Sequence, residues 1–96
     1  MNVRIPPVKD IKQAILLYYT KHELLNKDIS ELFGVSFSYS KLARMRAEVR
    51  QKMREENTPF FDAKAVNTDV AYRVWGIPIE DLEKRYNKLK KLQLID

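Results

Sequence analysis

The residues best equipped for chemistry lie between Lys41 and Arg54. Lys41, Arg44, Arg46, Arg50, Lys52 and Arg54 stand there against one carboxylate, Glu48. The stretch carries a net +5, as much as the whole 96-residue chain. A concentration of cations of this kind suits a polyanion. Each one can displace a counterion from a phosphate, and an arginine fork matches the O6 and N7 edge of guanine. The alternative is a solvated face of i,i+4 pairs, for which Glu48–Lys52 has the favourable order.

Other chemistry is poorly supplied. His22 is the only histidine and Cys is absent, which removes thiol nucleophiles, disulfides and cysteine metal sites. Carboxylates fall mostly in helix first turns or beside Lys and Arg, and no pair is set apart for acid/base work. Glycine-rich phosphate loops and metal-ligand spacings are missing. The expectation is a non-enzymatic protein without metal, cofactor or small-molecule ligand. The longest apolar run, Ala14 to Tyr19, is too short to span a bilayer, and Val3-Arg4-Ile5-Pro6-Pro7 does not resemble a secretory leader. A cytoplasmic protein is expected. At 11.4 kDa with 45% hydrophobic residues, the chain should form a single domain over 1–96 around one modest core.

Five helices should position the basic stretch. Residues 1–7 read as an extended arm, with Pro6-Pro7 opening a first helix that runs through Val8, Ile11, Ala14, Ile15, Tyr18 and Tyr19 to about His22. Asn26 is the expected N-cap of a second helix, with Asp28 in its first turn and Ile29, Leu32 and Phe33 as its buried stripe. Gly34 sits where a left-handed stop belongs. A long third helix follows over 38–56. Leu42, Met45, Val49 and Met53 form its apolar stripe, and Ser40, Arg44, Ala47 and Gln51 its opposite face. Phe60-Phe61 is expected to anchor a loop into the core, with one short strand or loop at 58–66. Little alternation and no hairpin dipeptide appear across 57–67, which argues against a β-hairpin there. Asn67 or Thr68 should cap a fourth helix that Gly76 stops, and Pro78 should open a fifth. The fold class is therefore all-α, a small orthogonal bundle.

The segment from Asp28 to Ser36, DISELFGVS, resembles the helix-turn-helix of DNA-binding proteins, in the style of small regulators from phages and mobile elements. The pattern covers 26–56: a small residue (Ser30) where two helices cross closely, Gly34 in the turn, and Val35 plugging the gap between helices. An aliphatic residue usually follows about five positions after that valine; Ser40 stands there and Leu42 takes the role. The turn is then longer, or the third helix starts later. The resemblance implies that the third helix enters the major groove of double-stranded DNA. Ser38, Tyr39, Ser40, Lys41 and Arg44 would lie near its reading end, with Arg44 the prime guanine contact. Tyr39 would contact a phosphate or thymine methyl, or pack beside Leu42. Arg46 and Arg50 would clamp phosphates, and Lys27 would meet the backbone.

Residues 67–96 would brace the motif or dimerise it. Ile79, Leu82, Tyr86 and Leu89 form a short seam that packs on the domain's own core or against a second subunit, making a homodimer for a palindromic site. The leading functional expectation is a sequence-specific transcriptional regulator. The alternatives are a DNA-binding accessory subunit of a phage packaging or recombination complex, and a protein-interaction module that binds no DNA.

Overall fold

The computed structural model describes residues 5–93. Asp10, rather than the Pro6-Pro7 pair, opens the first helix, α1 (Ile11–Thr20), by accepting the Lys12 N–H on its carboxylate at 2.9 Å. Residues 5–8 instead run alongside the bundle. Ile5 and Val8 pack on the core, and the Lys9 N–H donates to the Leu32 carbonyl at 3.1 Å. Part of the expected arm, residues 1–4, lies outside the described residues.

After α1 the chain makes a short strand that the sequence reading lacked, β1 (Glu23–Leu24), and then α2 (Asn26–Phe33). Asn26 is already helical, so it is not the cap. Leu25 keeps the extended backbone of β1, and the Asp28 carboxylate accepts its N–H at 2.9 Å. Helix α2 ends at Gly34, whose φ of 69° is the expected left-handed stop. The next helix, α3 (Tyr39–Glu55), begins only after a five-residue connection, residues 34–38. The longer turn is therefore the one found. Asn57, at φ 56°, ends α3 as a glycine would.

A single short strand follows, β2 (Val66–Asn67), and pairs antiparallel with β1, Leu24 opposite Val66 and Glu23 opposite Asn67. No hairpin intervenes among the described residues. Asn67 then caps α4 (Thr68–Val74) by accepting the Val70 N–H at 3.0 Å, Gly76 turns the chain at φ 72°, and α5 (Ile79–Lys91) begins behind Pro78. The result is a small, mostly helical bundle, 62% helix with one two-stranded sheet among the described residues.

One contiguous core receives side chains from every element. The stripe read from α3 is all buried, as are Ile29, Leu32 and Phe33 of α2. Helix α5 packs along α1, α2 along α1 and β1, and α3 along α4 and β2. Helices α2 and α3 are not among the pairs in extensive contact, and Ser30 is half-buried. Leu82 is buried and Ile79 packs against the core, so half of the C-terminal seam is spent within the chain. Tyr86 and Leu89 stay half-buried.

Polar contacts also tie the helices together. Tyr72, almost fully buried, donates its hydroxyl to the Ala14 carbonyl at 2.6 Å. Tyr18 donates to Asp69 at 2.7 Å, and Arg73 binds Glu56 through two bonds of 2.7 Å, joining α4 to the end of α3. The bond to Asp69 is the main reason the Tyr18 hydroxyl is pushed up to about 12, while burial is the main reason that of Tyr72 is raised. Both folded values exceed the ordinary value near 10. Their contribution to stability is thus complete below about pH 10 and is lost as pH climbs through the raised values. Tyr72→Phe should cost about 1 kcal/mol at neutral pH by removing one buried hydrogen bond. It should also flatten the fall of melting temperature above pH ~10. Identical alkaline melting curves for the two proteins would contradict this assignment.

Candidate nucleic-acid interface

Helix α3 offers its outer face from the first turn onward. Ser38 is the N-cap: its hydroxyl oxygen accepts the Lys41 N–H at 3.1 Å, so it sets the helix start. Tyr39 is the first helical residue and is 74% exposed, which excludes packing beside Leu42. Ser40, Arg44, Ala47 and Gln51 are all exposed and, at helical spacing, share one face opposite the buried stripe. From Ser40 to Gln51 this face is about 16 Å long at 1.5 Å per residue. Its small residues, Ser40 and Ala47, let a ligand approach the helix backbone. Among the described residues no side chain or carbonyl partners Arg44.

The remaining cations of α3 divide by environment. Lys41 is half-buried, its Nζ 5.1 Å from the Phe37 ring centroid. Arg46 is half-buried too, and its Nε is enclosed without a partner. Arg50 is engaged elsewhere: its guanidinium donates to the carbonyls of Ala63 and Ala65, the latter at 2.7 Å, and lies over the Phe60 ring. Lys52 pairs with Glu55 at 3.7 Å and Glu56 at 3.9 Å. Lys27 is exposed in the first turn of α2, on a different element from the α3 face.

Two expectations about apolar side chains are corrected. Val35 is 44% exposed and plugs nothing. Phe37, two residues on, packs edge-on against Phe33 at 5.8 Å and against the core. Phe60 and Phe61 do not enter the core; they are 54% and 76% exposed. Phe60 serves as a platform for Arg50, and Phe61 lies against His22 with its N–H donated to Glu23 at 2.8 Å. Ile5, Pro6, Pro7, Val35, Phe37 and Lys41 line an open groove of about 540 Å³ beside the start of α3.

No protein-family model, curated protein or solved structure matches this chain. Among the described residues no group of His, Asp or Glu could hold a metal ion, and no helix is long and apolar enough to cross a membrane. What the α3 face offers is one unpartnered guanidinium, two hydroxyls, one amide and small side chains on a projecting helix. Those groups can donate to base edges and phosphates.

Proposed function

We propose that this protein binds double-stranded DNA as a helix-turn-helix regulator, with the Tyr39–Gln51 side of α3 in the major groove. The observation that carries the reading is the open face itself: Ser40, Arg44, Ala47 and Gln51 are exposed on a helix whose opposite stripe is wholly buried. The left-handed Gly34 and the Ser38 cap fix where that helix begins. An α-helix of about 10–12 Å diameter fits a groove about 12 Å wide. Arg44 is the base reader and Tyr39 and Ser40 are its neighbours at the same end. Arg54, further along and exposed, takes a phosphate.

Selection of binding sites from a random duplex library tests this reading. A recovered consensus supports it, and palindromic halves would add a dimer. A salt titration supplies the second axis, because specific binding should combine a steep slope with a preferred site. A protein-interaction module would give neither. Arg44→Ala should lose about 1–3 kcal/mol of discrimination at one or two positions of the consensus. Equal weakening on every sequence would reassign Arg44 to the phosphate backbone.

A further inference from the structure

The five cations of α5 behave differently from those of α3. Lys84, Arg85, Lys88, Lys90 and Lys91 are all exposed. Among the described residues none of them lies within ion-pair distance of a carboxylate. The acidic residues of this helix, Glu80, Asp81 and Glu83, all precede them, toward its N-terminal end. Among the described residues, Lys90 alone of the five has a ring beneath it, that of Tyr86 at 5.7 Å. Leu82 and Ile79 turn the opposite side of the helix to the core, which places Lys84, Lys88 and Lys91 together at i, i+4 and i+7 on the outer face. Folding thus reverses the ranking that the sequence suggests. Helix α3 has more charge on paper, yet Arg50 and Lys52 are consumed internally; α5 leaves all five cations open.

We propose that the outer face of α5 is a second, sequence-indifferent contact for the phosphate backbone of duplex DNA. Lys84, Lys88 and Lys91 are its principal donors. The inference rests on the α3 reading, since it is the same polymer that α5 would touch. Lys84 to Lys91 spans about 10 Å of helix, the rise of about three nucleotides on one strand at 3.4 Å each. Lysine suits such a role as a mobile point charge that needs no fixed geometry. The surface fits a phosphate chain better than an anionic membrane, because Asn87 stands among the lysines and, among the described residues, Leu92 just past the helix end is the one exposed apolar side chain beside them, too little for insertion into lipid.

The test compares the full chain with the triple variant Lys84→Gln, Lys88→Gln, Lys91→Gln on a random-sequence 30-bp duplex. Each lost phosphate contact should lower the slope of log affinity against log salt by about 0.9, so the triple variant should fall by about 2–3 while its melting temperature stays put. The consensus selected by α3 should not change. An unchanged slope in a folded variant that still selects a site overturns this inference and leaves the α3 reading intact. If the unmodified chain binds no duplex at low salt, both readings fall. Binding to phosphatidylserine vesicles that is lost in the triple variant, with duplex binding unaffected, would reassign the surface to membranes.

Discussion

Gly34→Val should lower stability by about 2–6 kcal/mol, enough to unfold much of a domain this small at physiological temperature. Two separate causes add. The backbone at Gly34 has φ 69°, and a β-branched residue held there costs about 1–3 kcal/mol. A Cβ at this position would also run into the Lys9 side chain, lying 2.8 Å from its Cβ and 2.9 Å from its Cγ, with Cδ nearer still. Lys9 cannot easily yield, because its own N–H is bonded to Leu32. Overpacking of this kind adds about 1–3 kcal/mol. Gly76 provides the internal control. Its φ is 72°, yet nothing lies within 4 Å of the added atom. Gly34→Ala should therefore melt well below Gly76→Ala, and Lys9→Ala should recover part of the loss at Gly34 only. Equal melting of the two alanine variants would show that Lys9 plays no part.

These glycines also show what a sequence can reveal by itself. A glycine directly after an apolar stripe signals a helix stop because the signal and the structure involve the same few residues. The stripe Leu42, Met45, Val49, Met53 is legible for the same reason: 3.6-residue periodicity is local, and all four side chains are buried. Strand β1 is not legible this way. Two residues, Glu23 and Leu24, become a strand only because Val66 and Asn67 arrive beside them from beyond α3. Nothing in their immediate neighbours encodes that meeting. Asn26 lost its expected role as a cap through the same event, since the strand holds Leu25 extended and moves the start of α2.

The corrected aromatics illustrate a different limit. Residue type predicts that Phe60 and Phe61 prefer apolar surroundings, but the guanidinium of Arg50 and the ring of His22 satisfy their faces at the surface. In the turn, the ring of Phe37 rather than the side chain of Val35 packs against Phe33, across a connection of five residues. As for the site, the exposed row Ser40, Arg44, Ala47, Gln51 could be placed from periodicity. Which cations on its flanks are free could not, because that depends on carbonyls and carboxylates delivered by the 57–65 segment and the end of α3.

Arg50 turns that distinction into a measurement. Its guanidinium holds the carbonyls of Ala63 and Ala65 and stacks on Phe60, so it pins the 57–65 segment against α3 just before β2. Hydrogen bonds from a charged donor contribute about 1.5–3 kcal/mol each when shielded; with the Ala63 bond open to solvent, Arg50→Ala should cost about 2–4 kcal/mol in all. Amide protection should fall first across residues 60–67, where the segment leads into the two-stranded sheet. Arg50→Lys separates this role from a phosphate contact. Lysine keeps the positive charge but lacks the planar fork that reaches two carbonyls at once. A phosphate clamp would retain most of its duplex affinity as lysine, and the fold would be indifferent. A strut should lose nearly as much stability as the alanine variant, with duplex affinity falling only as far as the folded fraction falls. Full stability in Arg50→Lys together with a lowered salt slope in Arg50→Ala would return Arg50 to the DNA-contacting surface.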